Sequence, residues 1–236
     1  MKIVTHSHRH AQAILENVSE YTPIWEHLQE ALSRITDEKL ISHFQENYEG
    51  QAKQTKSISK SINKLIELEL GAKKPNDPTL DEEKDWIAES QIFGESDYGF
   101  NEWRLDFARK VMVQDLDILG DSKAVEAGIS IEVAFNNAGS AAWNLVKPVI
   151  ASELNHVKKN IQTSIGIVIA ATEGFKKTGG FDNTVGTYEH YLKMLVPMRD
   201  LISVPILLIG LQAPESFVIE QTVKNGKKYG SVKKLN

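Results

Sequence analysis

Apolar and polar residues alternate strictly over 129–135, in the segment ISIEVAF, and this alternation predicts a half-buried β-strand. β-prone apolar residues over 111–119 predict a second strand, joined to the first by a charged connection that contains glycine. Successive side chains of a strand point to opposite faces, so Glu132 and Ala134 share the face opposite Ile131 and Val133. Asp117 on the neighbouring strand could then lie beside Glu132.

The remaining pattern alternates between helices and strands. Apolar residues at helical spacing predict helices over 11–18, 23–35, 51–70, 140–160 and 188–201, with Pro148 expected to kink or split the fourth. Apolar runs predict strands over 2–5, 165–171 and 205–211. The segments 71–85 and 172–184 are polar and contain glycine, which predicts loops.

Two carboxylates on adjoining strands repel each other unless a cation lies between them. Magnesium suits such a pair, because it prefers oxygen ligands and usually takes only one or two protein carboxylates. The alternative is an exposed hairpin with one solvated face, which the spacing alone favours, because acidic residues are common on such faces.

Asp117, followed fifteen positions later by Glu132 in IEVAF, is similar to the Asp…Glu-x-(Lys/Gln/Glu) signature of the restriction-endonuclease superfamily. The chain more narrowly resembles the BglII/BstYI branch of type II restriction enzymes. Three further short segments carry this resemblance: MKIV…IWEHLQEAL near the start, SINKLIE before Trp86, and VPILLIGLQAP near the end. Together they span most of residues 1–214. The sequence departs from the family at Ala134, where relatives carry a polar or charged residue.

The resemblance implies an α/β fold with a restriction-endonuclease-like core, in which helices flank a mixed central β-sheet. It implies one domain over 1–236, with a helical elaboration at about 11–70. The end of the chain, about 222–236, carries lysines and no acid, which predicts a flexible tail that contacts DNA or only aids solubility. The resemblance also implies a homodimer acting on palindromic double-stranded DNA, with Trp143 as a dimer contact. Kinship to this branch suggests a palindrome centred on GATC. Asp117, Glu132 and the backbone carbonyl of Val133 are then the expected ligands of Mg²⁺.

Composition is compatible with that class. The chain has 236 residues, of which 41% are hydrophobic, so it can bury a substantial core. It has no cysteine, which excludes disulfides and thiol nucleophiles and agrees with a cytoplasmic protein. The longest apolar run, 204–211, is too short to span a bilayer, so no membrane partner is expected. The formal net charge of −5 still allows a local basic groove.

Two groups of residues are candidates for contacts with DNA. A row of lysines spaced three or four residues apart suits phosphate contacts, namely Lys53, Lys56, Lys60 and Lys64. The polar segment after the buried strand 165–171 supplies charge and base-reading groups, namely Lys176, Lys177, Asn183, Thr184, Thr187 and Tyr188. The alternatives are a solvated lysine face and an ordinary capped helix.

Ala134 is the third member of the catalytic signature and bears on activity. A methyl group can neither bind a cation nor hydrogen-bond an attacking water, so the sequence predicts that the chain binds DNA and cleaves it poorly. A polar residue restored at 134 is then expected to recover cleavage. Other hypotheses are a DNA-binding protein without cleavage, a repair or modification-dependent nuclease on the same fold, and a helical interaction module.

Overall fold

A six-stranded mixed β-sheet forms the centre of the computed structural model, which describes residues 1–51, 55–94, 103–116, 122–153 and 157–235. The strands in chain order are β1 (Ile3–His8), β2 (Ile87–Gln91), β3 (Arg104–Arg109), β4 (Met112–Leu116), β5 (Ser122–Glu126), β6 (Gly128–Val133), β7 (Thr163–Ala171), β8 (Ile206–Leu211), β9 (Phe217–Lys224) and β10 (Lys227–Lys234). The helices are α1 (Ala11–Asn17), α2 (Thr22–Arg34), α3 (Asp37–Asn47), α4 (Ser59–Glu69), α5 (Ala141–Glu153), α6 (Glu173–Thr178) and α7 (Tyr188–Met198).

The central sheet has the order β1-β8-β7-β6-β3-β2. β6, β7 and β8 run parallel to one another, whereas β1, β3 and β2 join by antiparallel pairing. Every residue of β6 and β8 is buried, as is typical of strands covered on both faces. The almost continuous apolar sequence of β8 matches this burial, whereas β6 also buries Ser130 and Glu132. The α/β fold with a mixed central sheet is therefore confirmed.

Helices cover both faces of this sheet. α1 to α4 pack against the face that carries Ile131 and Val133, and they fall within the predicted helical region 11–70. α5 and α7 pack against the opposite face, in a cluster that includes Ala134. Within the described residues, no helix has the length and apolar composition needed to cross a membrane.

Three local predictions were wrong. The described part of the strand predicted over 111–119 does not pair with the strand of Glu132, because β4 pairs with β5 in a separate two-stranded sheet and β6 pairs with β3 and β7. The segment 172–184 contains the helix α6, which Thr172 caps by accepting a hydrogen bond from the Phe175 N–H. The basic tail is not a flexible end, because β9 and β10 pair over their full lengths.

A two-residue turn explains the β9–β10 hairpin. Asn225 and Gly226 both have positive φ, 50° and 74°, as the type I′ turn of a tight hairpin requires. An Asn-Gly pair is the strongest local signal for this turn, and it outweighs the dense positive charge of the flanking strands.

α5 packs closely on β7 through Pro148 and Gly166. Pro148 lies inside the helix and is buried. A Cβ atom at Gly166 would come within 2.5 Å of the Pro148 Cβ, so the absence of a side chain at Gly166 permits this approach. The contact fixes the height of α5 over the sheet.

We expect Gly166→Ala to destabilise the protein by about 1 to 3 kcal/mol, because the new methyl group overpacks the contact with Pro148. Urea unfolding of the two proteins measures this difference. Gly174→Ala is the matched control, since its nearest neighbours lie at 3.9 and 4.0 Å. Equal unfolding midpoints for Gly166→Ala and Gly174→Ala would contradict the prediction.

Candidate active site

The carboxylates of Asp106 and Glu132 are neighbours on adjacent antiparallel strands. Phe107 of β3 lies opposite Ile131 of β6, and the same register continued by one residue places Asp106 opposite Glu132. The Val133 N–H donates a hydrogen bond of 2.6 Å to Asp106 Oδ2. This bond ties the end of β3 to β6 and holds the Asp106 carboxylate at the end of the two strands.

Glu132 is a buried acid with an incomplete set of partners. Its residue is 2% exposed, and Lys147 Nζ of α5 donates a 2.7 Å hydrogen bond to its Oε2. Its Oε1 is buried without a hydrogen-bond partner among the described residues. Burial, and then the neighbouring charge of Asp106, raise the pKa of Glu132 to about 8, although Lys147 acts in the opposite direction.

A third carboxylate borders this pair on the next strand. The register of β2 with β3 places Glu89 opposite Asp106, between two paired positions. Glu89 has φ of 52°, a strained conformation for a residue with a side chain, and it forms an ion pair with Lys74. Burial is the main cause that raises the pKa of Asp106, and the charge of Glu89 adds to this effect.

A narrow cleft of about 110 Å³ opens beside these acids. α4 contributes Asn63 and Glu67 to its wall, Lys74, Glu89 and Asp106 complete the polar lining, and Val133 also borders the cleft. α4 thus brings one end of the predicted lysine row close to the acid pair.

The acid pair fits a magnesium ion. The available donors are the Asp106 and Glu132 carboxylates and the Val133 carbonyl, all hard oxygen ligands of the kind that Mg²⁺ prefers. The buried Glu132 Oε1 lacks any partner within the described part of the chain, and a cation would supply one. No cluster of three or more His, Cys, Asp or Glu side chains suited to a metal occurs among the described residues. Two carboxylates are nevertheless sufficient for Mg²⁺, whose remaining ligands are commonly water and phosphate.

The residues predicted for the catalytic site meet different outcomes. Glu132 and Ala134 share one face of the sheet, as the alternation predicted, because Ile131 and Val133 pack on the other face. That shared face is covered by α5 and α7 rather than solvated, and Ala134 is only 1% exposed. Asp117 lies outside the described residues, so its role stays a prediction.

Two lysines of the predicted row are paired with acids. Lys56 forms an ion pair with Asp182, and Lys64 forms one with Glu67 at 2.7 Å. These two lysines are therefore less suited to phosphate contacts than the sequence predicted. Lys60 is exposed on α4, and Lys53 lies outside the described residues.

The predicted base-reading segment divides into exposed and structural residues. Asn183, Thr184 and Lys177 are exposed. Lys176 Nζ donates to the backbone carbonyls of Asn183 and Val185 and so holds the segment in place.

Thr187 is unsuited to reading a base. It is 1% exposed, its hydroxyl donates to Glu173, and it caps α7 by accepting from the His190 N–H. Tyr188 is half-buried, with its ring over Gly210, where an added Cβ would lie 2.7 Å from the ring.

Sequence reasoning missed Asp106 and Lys147. Asp106 stands between the apolar residues Leu105 and Phe107 in RLDFAR, an alternation that indicates a strand with one acidic position. Lys147 is the sole charged residue between Ala141 and Ser152, in a helix that must bury an apolar face. A lone lysine in such a helix signals a buried partner.

The raised pKa of Glu132 has a measurable effect on stability in metal-free protein. An acid whose pKa is raised by folding contributes stability below its unfolded value, near 4.5, and loses it as the pH rises to about 8. We expect the stability of the wild type relative to Glu132→Gln to fall across this range, as measured by urea unfolding at a series of pH values. A constant difference between the two proteins from pH 4 to 9 would show that Glu132 titrates normally.

Comparisons with known proteins identify the family. The family model "Restriction endonuclease BglII/BglIII" matches residues 3–211. A search of curated proteins gave no match. The solved structure of restriction endonuclease BglII complexed with a DNA 16-mer is similar at 19% identity and a TM-score of 0.56, covering 99% of this chain and 91% of that one. The structure of free BglII aligns at 15% identity and a TM-score of 0.44, covering all of both chains. The chain belongs to the BglII/BglIII restriction endonuclease family, and is by class a type II site-specific deoxyribonuclease.

Proposed function

We propose that this endonuclease hydrolyses phosphodiester bonds in a palindromic duplex DNA site, that it requires Mg²⁺, and that it acts as a homodimer. The observation that carries the proposal is the pair of adjacent acids in a chain of this family: buried Glu132, and half-buried Asp106, which lines the cleft. A two-fold dimer matches a two-fold DNA site, because each subunit then meets the same half-site and cuts one strand.

The roles of the site residues follow from their positions. The Asp106 and Glu132 carboxylates and the Val133 carbonyl would hold the ion, and Asp117 is a further candidate ligand. When bound, Mg²⁺ polarises the scissile phosphate and lowers the pKa of an attacking water. Protonation of Glu132 removes a ligand, so the raised pKa of this acid makes binding of the ion weaker at low pH.

Binding of duplex DNA is supported by the structural likeness to a DNA complex and by exposed polar side chains. The BglII structure that this chain resembles is a complex with DNA. Exposed Lys60 on α4 suits a phosphate contact, and exposed Asn183 and Thr184 suit contacts with base edges. Trp143, which is 49% exposed and stacks on Trp103 at 4.6 Å, is the candidate dimer contact.

A second candidate function is sequence-specific DNA binding without cleavage. Ala134 favours it, because this position supplies no polar group to the site. Ala134 also belongs to the buried cluster beneath α5 and α7, so a long polar side chain at 134 must displace apolar neighbours. A substitution at 134 intended to restore cleavage would therefore also disturb the packing of this cluster.

We expect the wild type to cut DNA that contains its selected site when Mg²⁺ is present. Asp106→Ala and Glu132→Ala should each lower the cleavage rate by several orders of magnitude, because each removes an ion ligand. Glu46→Ala on the exposed side of α3 is the control and should cut normally. The assay is cleavage of an end-labelled duplex recovered by binding selection from a random pool. Uncut, bound DNA in both Mg²⁺ and Mn²⁺ would favour the second candidate function.

We expect Lys60→Ala and Asn183→Ala to weaken DNA binding in different ways. Loss of a phosphate contact at Lys60 should weaken binding to all sequences equally and reduce the slope of log affinity against log salt by about 1. Loss of a base contact at Asn183 should cost roughly 1 to 3 kcal/mol on the selected site and leave non-specific binding unchanged. Gel-shift titrations on both DNAs at several salt concentrations test this. Identical profiles for the two variants would contradict the assignment.

A further inference from the structure

Lys147 forms a nearly buried ion pair inside the candidate active site. The Lys147 and Glu132 side chains are 17% and 3% exposed, and the two residues meet at 2.7 Å. The chain segment around Lys147, AAWNLVKPVIA, is otherwise free of charge. Burying such a pair generally brings little or no net stability, because desolvation offsets the attraction. The lysine therefore calls for an explanation other than packing.

α5 holds Lys147 firmly at this place. Asn144, one helical turn before Lys147, donates a 2.6 Å hydrogen bond to the Tyr191 hydroxyl and a 3.1 Å bond to Asn136 Oδ1. Pro148, the next residue, packs against Gly166 of β7. Contacts on both sides of Lys147 thus fix its position along the sheet.

The same face of β6 carries the position that lacks a polar group. Glu132 and Ala134 both point towards the layer of α5 and α7, and Ala134 is buried there. Ala134 offers Glu132 no polar contact. A side chain of α5 that reaches Glu132 can therefore make that contact in its place. Lys147 makes this contact.

We propose that Lys147 is the third active-site residue of this endonuclease, a positioning residue that holds the Glu132 carboxylate oriented for the metal and so replaces the polar residue absent at 134. This inference rests on the proposed function. Its consequence is that the chain cleaves DNA as it stands, contrary to the expectation drawn from Ala134 alone.

The geometry at Glu132 supports this role. Lys147 Nζ holds Oε2 of Glu132 at 2.7 Å, and Oε1 has no hydrogen-bond partner among the described residues, so the second oxygen is left for an ion. The charge of Lys147 also opposes the effect of burial, which raises the pKa of Glu132. Groups that orient a metal ligand in this way commonly change metal affinity about 10- to 100-fold when they are removed.

The test compares Lys147→Met, which removes the charge, with Lys147→Arg, which keeps it. Lys159→Met is the matched control, because Lys159 bonds to the Ala151 and Ser152 carbonyls at the end of α5, away from Glu132. Three readouts are taken: the Glu132 titration in metal-free protein by carbon NMR, Mn²⁺ affinity by electron paramagnetic resonance, and Mg²⁺-dependent cleavage of the selected DNA. Circular dichroism and urea unfolding establish that each variant is folded.

In Lys147→Met we expect Glu132 to titrate at higher pH than in the wild type, Mn²⁺ affinity at pH 7 to fall about tenfold or more, and cleavage to fall with it. Both losses should diminish as the pH rises. Lys147→Arg should retain most of both activities, and Lys159→Met should match the wild type in all three readouts even where it is less stable.

Wild-type Mn²⁺ affinity and cleavage in folded Lys147→Met would overturn the role of Lys147 while leaving the proposed function intact. Loss of both in Lys147→Arg as well as in Lys159→Met would show a structural effect and would also overturn it.

A wild type that binds its selected DNA, takes up Mn²⁺ and does not cut would defeat the proposed cleavage. In that case the NMR and Mn²⁺ readouts still decide whether Lys147 controls Glu132. If Lys147→Met does not fold, equal pH dependence of Mn²⁺ binding in Lys147→Arg and Lys147→Gln would overturn the proposal.

Discussion

The burial of the Glu132 carboxylate between an acid and a base is the constraint on which the site depends. Asp106 approaches it from β3, Lys147 approaches it from α5, and one of its oxygens has no partner among the described residues. An ionised carboxylate is costly in such surroundings unless its charge is compensated. The protein compensates it in part with Lys147, and the open coordination of the remaining oxygen is suited to a cation that arrives with the substrate.

The fold supplies this arrangement by placing rigid elements around one strand. β6 lies between the antiparallel β3 and the parallel β7, so both of its edges are paired and its side chains are fixed. α5 follows β6 after a short connection and returns over the sheet, where the Pro148–Gly166 contact sets its height. Sites built on paired strands and packed helices hold their groups more exactly in place than sites on loops.

Local patterns predicted β1, β6, β7, β8, α1, α2 and α7, and also the facing of Glu132 and Ala134, because these depend on periodicity within one element. They missed α3, α6, β2, β3 and the β9–β10 pair, and they began α4 too early. Asp106 could not be predicted as the acid beside Glu132. Its position depends on β3, rather than the segment 111–119, being the neighbour of β6, and such non-local pairing is not visible in a local pattern. The contact of Lys147 depends likewise on how α5 packs. The β9–β10 hairpin is a different case. The Asn225–Gly226 pair is a local signal for its turn, but the lysine-rich flanking segments led to the prediction of a flexible tail.

The central claim is that Asp106 and Glu132 together bind the metal ion used in cleavage. Anomalous diffraction from crystals of the protein with its selected DNA and Mn²⁺ tests this most directly. The account predicts an anomalous peak within ligand distance of both carboxylates and of a phosphate oxygen. A peak at other side chains, with Glu132 still bound only to Lys147, would contradict it.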